Sequence, residues 1–290
     1  MTAFKSQTVR RSTIAGSWYP GTEKALERTI DEYLAQVDQP LVEGELLALI
    51  SPHAGYPYSG QTAAYAYYQL QGREVDTVVI MGPSHRAWVG DFAASAEDAY
   101  ETPLGRIPLD REFIADLEGQ IPLQRVRRDA EHSLEIQLPF LQHQLGDFRL
   151  VPIMLSANEP AAAQRLASAL TETIQQRVNE GERTLLVASS DMHHIENYDE
   201  VVHRDKPVVE AIAAYDLEAL TPLLMAPGCS VCGRMPILAA LYAAQDLGAD
   251  TAKILHHTNS GDVTGQRGRG QYTVGYMAAA VYRSQSASEP

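Results

Sequence analysis

The chain has only two cysteines, fewer basic than acidic residues, and no apolar run of about 18 residues, and each shortage excludes a class of protein. Two cysteines, Cys229 and Cys232, are too few for a secreted disulfide scaffold and fit a reducing compartment. With 23 Lys and Arg against 37 Asp and Glu, the net charge of −14 repels a phosphate backbone, so nucleic acid is not an expected partner. No segment is apolar enough to span a bilayer, and Met1 to Ser12 is polar and basic without the apolar core of a signal peptide. The cytoplasm is the expected location. Walker-type loops, H-E-x-x-H and G-x-S-x-G are absent, which removes the commonest nucleotidase, zincin and hydrolase readings. One cysteine pair cannot complete a four-thiolate zinc site.

What is present describes a folded α/β protein. Hydrophobic residues make up 45% of the 290 and charged residues 21%, ordinary for a globular chain, and no linker, repeat or low-complexity tract divides it. A single domain over residues 1–290 is expected, with residues 1–11 and 284–290 frayed. Short β-branched runs predict strands at Leu46–Ile50, Thr77–Met81, Phe148–Leu155, Thr184–Ala188 and Ala252–His256. Between them, apolar spacing and Ala/Leu content predict helices at Gln61–Leu70, Glu131–Leu145, Ala161–Val178, Lys206–Ala214 and Pro236–Asp246. Such alternation predicts three layers, a mostly parallel central sheet covered by helices on both faces.

Three predicted strands run into polar residues: Ser51-Pro52-His53, Gly82-Pro83-Ser84-His85, and Ser189-Ser190-Asp191-Met192-His193-His194. In open α/β sheets ligands bind outside the carboxyl ends of the strands, so these segments should converge. Alone, a strand-end histidine reads as a hydrogen-bonded surface residue. Two of them, His53 and His85, point towards a metal, because neutral imidazole is a common ligand. Tyr56 and Tyr58 pack or line a pocket; Arg86 is either solvated or a partner for an anionic group. Asp191 and His194, three apart, suit a carboxylate orienting an imidazole for proton transfer, while helix capping by Asp191 or Ser190 is the plainer reading. Cys232 precedes an Ala-rich helix, where a thiolate is favoured, and can be a ligand or a nucleophile. With Cys229 it also reads as a C-x-x-C dithiol. Glu131 to Phe140 carries helix-start signals and reads as a solvated helix face.

Together these residues resemble the Memo family, whose bacterial members are called AmmeMemoRadiSam system protein B. The resemblance runs from Ser12 to Arg283. It rests on Ala15-Gly16-Ser17-Trp18-Tyr19-Pro20, Pro52-His53-Ala54-Gly55-Tyr56, Gly82-Pro83-Ser84-His85, Glu131-His132-Ser133-Leu134-Glu135, Ser189-Ser190-Asp191 with His194, and Cys232-Gly233-Arg234 with Pro236-Ile237. Memo proteins are in turn similar to class III extradiol dioxygenases, which hold non-haem iron(II) with two histidines and a carboxylate. The resemblance implies that fold, with His53 and His85 as the metal-binding histidines, Cys232 in the carboxylate's place, and His194 with Asp191 as the catalytic acid/base pair. A soft thiolate in place of a hard oxygen shifts metal preference towards copper or other thiophilic ions. Cys229 lies outside the family motif.

The function so implied is a metal-dependent redox protein of oxygenase or oxidase type, using iron(II) or copper on a small-molecule or peptide substrate. The family also implies two other roles. One is a peptide-binding adaptor, which the acidic surface opposes for phosphopeptides. The other is an accessory to a radical-SAM protein, which this chain cannot itself be because it lacks the three-cysteine cluster motif.

Overall fold

The five apolar runs expected as strands all fall in one sheet of the computed structural model, which describes residues 8–285. In chain order the strands are β1 (Val9–Arg10), β2 (Gly44–Ser51), β3 (Thr77–Pro83), β4 (Phe92–Ser95), β5 (Ala99–Thr102), β6 (Gly105–Pro108), β7 (Leu123–Val126), β8 (Arg149–Leu155), β9 (Thr184–Ser189), β10 (His194–Asn197), β11 (Thr251–Asn259) and β12 (Arg269–Ser284). The main sheet has the order β10-β12-β2-β9-β3-β8-β4-β7, with β11 also paired to β12. Its centre, β2-β9-β3-β8, is parallel as expected. Antiparallel pairings enter where β12 joins β2 and where β4 joins β8. A small sheet of β1, β5 and β6 lies apart from it.

Every residue of β3 is buried, as a parallel strand covered on both faces requires. The helices Glu23–Leu34, Tyr56–Tyr68 and Leu138–Leu145 pack together as one layer. Pro160–Asn179 and Arg234–Asp246 form the other, joined through Leu217–Met225 to Tyr198–Ala213. Ala162, Ala163, Leu166, Ala167, Leu170 and Ile174 make the buried stripe of Pro160–Asn179, at the spacing of one helix face. Tyr67 stacks on Phe140 at 5.3 Å, a pairing that contributes about 1 kcal/mol beyond its burial. Among the described residues no helix is long and apolar enough to cross a membrane.

The structure departs from expectation at several points. The sixteen-residue β12 was not expected, because its centre, Ala278-Ala279-Ala280, lacks the β-branched residues that mark strands. Helices Glu23–Leu34 and Leu217–Met225 are additional, and Tyr198–Ala213 begins well before Lys206, the expected start of that helix. The expected helix Glu131–Leu145 is two, His132–Glu135 and Leu138–Leu145, with Pro139 in the first turn of the second, where its missing N–H costs nothing. Residues 9 and 10 are not frayed. Arg10 is buried, paired with Asp129 and Glu135, and β1 holds it in the small sheet. At the other end the Ser284 amide and hydroxyl bond to Asp250. The remaining residues expected to fray, 1–7 and 286–290, lie outside the described ones.

Candidate metal centre

Strand order assembles the site. Because β9 lies between β2 and β3, the segment after β9 is flanked by His53 on one side and His85 on the other. Ser51 pairs with Ser189, and the Ser190 N–H extends the ladder by bonding to the Ser51 carbonyl at 2.9 Å. The turn before helix Arg234–Asp246 then crosses this edge very closely. A Cβ on Gly233 would lie 2.4 Å from Ser190 Cβ and 2.5 Å from the Ser189 carbonyl oxygen, so only glycine lets the Cys232 sulfur come down between the strand ends. Ligand-capable atoms of His53, His85 and Cys232 lie within 4.8 Å of one another, as expected.

The hydrogen bonds fix which nitrogens are free. Ser189 Oγ has one proton, and the Ser133 carbonyl, at 2.6 Å, can only accept it. The hydroxyl therefore accepts from His53 Nδ1–H at 3.0 Å and from Gln137 Nε2 at 2.8 Å, leaving His53 Nε2 with its lone pair, 3.1 Å from Cys232 Sγ. Glu131 does the same for His85. Its carboxylate accepts from the His85 backbone N–H at 2.7 Å and from Nδ1–H at 2.9 Å. Burial opposes charge on Glu131, but the His85 donors and the Ser133 amide outweigh it and hold its pKa down at about 2. Two imidazoles with Nδ1 held and Nε2 free, beside a sulfur, fit a metal ion; this is how metal-binding histidines are usually oriented. His53 is kept neutral by burial and by its histidine neighbours, as ligation requires. The Cys232 thiol, by contrast, is pushed up by burial and by Asp191, so a cation must displace its proton.

Asp191 and His194 both reach this region but not each other in the way their spacing suggests. Asp191 Oδ1 accepts from the backbone N–H of His53 (2.7 Å) and Ala54 (3.3 Å), and Oδ2 stands 4.0 Å from His53 Nε2. It braces the His53 loop rather than orienting His194. Burial raises its pKa to about 7 despite those two donors. His194 opens β10 instead, with Nδ1 3.1 Å from the Tyr272 hydroxyl and a buried Nε2 that has no partner. Burial and the nearby His85 lower its pKa to about 4. The adjacent His193 belongs elsewhere, bonded to Asp205.

The Glu131 to Phe140 segment is not a solvated face. Glu131 and Glu135 are buried, and Glu131 caps its helix through the Ser133 N–H while also holding His85. Glu135 accepts from Ser12, Thr13 and Tyr19 and so fixes the loop that carries Trp18. Trp18 packs on His132 at 4.6 Å, and His132 stacks on His85 at 4.5 Å. The ring is neutral, its pKa lowered by burial to about 4, and its Nδ1 is buried without a hydrogen bond. His132 is thus a third imidazole at the site, although its sequence context suggested only a helix start. Gln137 was also missed; its amide donates to the Pro52 carbonyl and to Ser189, tying the helix to the His53 loop.

Two clefts reach the centre. One, about 460 Å³, is lined by His85, Arg86, Trp88, Asn158, Cys232 and Arg234. The other, about 330 Å³, is lined by Trp18, His53, Tyr58, His132 and Asp191. A larger cavity of about 880 Å³ lies at the opposite ends of the strands, against Leu46 and Thr184, away from this chemistry.

The chain is similar to known proteins along most of its length. The chain is 34% identical over 275 residues to a MEMO1 family protein of Methanosarcina mazei, covering 94% of this chain and 99% of that one. A MEMO1 family protein of Aeropyrum pernix is 36% identical over 291 residues, covering 94% and 99%. One of Ignicoccus hospitalis is 35% identical over 286 residues, covering 93% and 97%. A crystal structure of an uncharacterized Escherichia coli K12 protein superposes with a TM-score of 0.52 at 13% identity, over 81% of this chain and 99% of that one, which is a likeness of fold alone. The family model described as Memo-like protein matches residues 10–280, a span containing every residue of the centre, and the chain therefore belongs to the Memo family.

Proposed function

We propose that the protein is a metal-dependent redox protein of oxygenase or oxidase type, with iron(II) or copper held by His53 Nε2, His85 Nε2 and Cys232 Sγ. The observation that carries this reading is the pairing of free and held nitrogens. Ser189 and Glu131 each take an Nδ1–H, and the two Nε2 atoms and the thiol are left to one another. When bound, such an ion supplies electron transfer and a site for dioxygen or substrate. The remaining work belongs to the chain. Burial excludes water from His53, and Asp191 fixes its loop. His194 Nε2, buried and unpaired, is the atom placed to accept or return a proton, with Tyr272 holding the opposite nitrogen. Arg86 and Arg234, both in the wall of the larger cleft, offer cations to an anionic substrate group.

Metal analysis of protein purified without oxygen tests this. The wild type should carry close to one equivalent of iron or copper and Cys232→Ala much less; equal, negligible contents in both would end the proposal. Reduced, metal-loaded protein should then consume dioxygen, and His194→Gln should slow consumption without lowering metal content.

A further inference from the structure

The two clefts that reach the centre differ in their chemistry. The one that holds His85 and Cys232 has Arg86 and Arg234 in its wall and no acidic side chain, in a chain whose net charge is −14. The one that holds His53 has neither Lys nor Arg and is walled mainly by Trp18, Pro57 and Tyr58, with Asp191 beside them. Elsewhere on this acidic chain exposed arginines find carboxylates, as Arg106 does with Glu101, Arg165 with Asp91 and Arg183 with Glu74. In the cationic cleft they do not. Arg234 donates to the neutral Asn158 Oδ1 at 3.1 Å, and Arg86 has no partner among the described residues.

Trp88 stands in the same wall, and at 79% exposure it is the most exposed large apolar side chain of the described residues. An indole left so open forgoes the burial that usually draws it inside. The loop that carries Trp88 and Arg86 is pinned at both ends. The Ser84 N–H bonds to the Leu155 carbonyl at 2.9 Å, the Ser84 hydroxyl to the Ala87 carbonyl at 2.6 Å, and the Val89 N–H to Ser156 Oγ at 3.3 Å. Two guanidinium groups without counter-charge and an open indole face, on one wall of a cleft of about 460 Å³, suit a small ligand with a negative group and a flat body. An inorganic anion would leave the indole uncovered, and a neutral ring would leave the arginines without a partner.

We propose that this cleft is where the substrate binds and that the substrate class is a small organic anion with a flat unsaturated body, its carboxylate or phosphate taken by Arg86 and Arg234 and its face by Trp88. The inference rests on the reading of the centre as the place of reaction, and it assigns the two clefts to different reactants. The aromatic cleft, with Asp191 and no cationic side chain of Lys or Arg, repels the anion and is left to a small neutral reactant.

The chain's two tryptophans stand one in each cleft and report which is filled. In the metal-free full chain, Trp18→Phe leaves Trp88 as the single indole reporter, and Trp88→Phe leaves Trp18. Benzoate and phenyl phosphate are the probes, and they separate a carboxylate from a phosphate. At least one of them should quench Trp88 saturably while Trp18 stays unchanged. Binding should be about tenfold or more weaker for cyclohexanecarboxylate, which is not flat, for benzamide, which is neutral, and for inorganic phosphate, and Arg234→Gln should weaken it by a similar factor. No saturable quenching by either anion up to about 10 mM, equal binding of benzamide, or a response from Trp18 instead of Trp88 would overturn the proposal. Should Trp18→Phe not fold, the amide NMR shifts of Arg86, Ala87 and Trp88 in the wild type read the same outcome. Because no metal is present, a failure here leaves the metal analysis standing, and a protein that takes up no metal can still pass this test.

Discussion

Glu131 grips His85 twice, through the backbone N–H at 2.7 Å and through ring Nδ1 at 2.9 Å, and so aims the free Nε2 at the space shared with His53 and Cys232. Glu131→Gln keeps the size and one acceptor but removes the charge that holds the tautomer. Affinity for iron(II) or copper should fall about 10–100-fold while the fold survives. Competition with a chromophoric chelator measures it, and circular dichroism checks the fold. An unchanged affinity would mean that His85 is not a ligand.

Gly233 governs how closely Cys232 approaches the sheet edge. In Gly233→Ala the new methyl would overlap Ser190 and the Ser189 carbonyl, so the turn must lift. Urea denaturation should show a loss of about 1–3 kcal/mol, and metal affinity should drop with it. Losing stability at full affinity would show that the sulfur is not needed for binding.

Cys232 supplies the soft donor. Cys232→Asp restores the two-histidine, one-carboxylate set, and loading against an equimolar mixture of copper(I) and iron(II) should shift towards iron. A mixture bound in the same ratio by both proteins would remove the thiolate from the account of metal choice.

His193 predicts a pH effect on stability. Its folded pKa, about 9, is above its ordinary 6.5, so the Asp205 partnership stabilises fully below pH 6.5 and the contribution is lost as pH rises through about 9. The stability gap between wild type and His193→Gln should therefore narrow from pH 6.5 to 9.5. Denaturant midpoints at both pH values give the answer; a constant gap would mean that the imidazole is neutral throughout.

Much of the centre was legible because parallel strands deliver their carboxyl ends to one edge, so His53, His85 and Asp191 could be placed together without knowing the order of strands. The order itself was not legible. Only the position of β9 between β2 and β3 makes Ser189 the partner of His53, and a three-residue spacing wrongly suggested Asp191 as the partner of His194. His194 turns instead to Tyr272, 78 residues away on a strand whose alanines hid it. His132 was discounted because the residue before it is a true helix cap, and nothing local shows that the same Glu131 carboxylate also holds His85.

Anomalous scattering from an anaerobically grown crystal, collected above and below the iron and copper absorption edges, tests the central claim most directly. The account predicts one peak in contact with His53 Nε2, His85 Nε2 and Cys232 Sγ. A crystal of metal-supplemented protein with no peak there, or with one that persists in Cys232→Ala and His53→Ala, would contradict it.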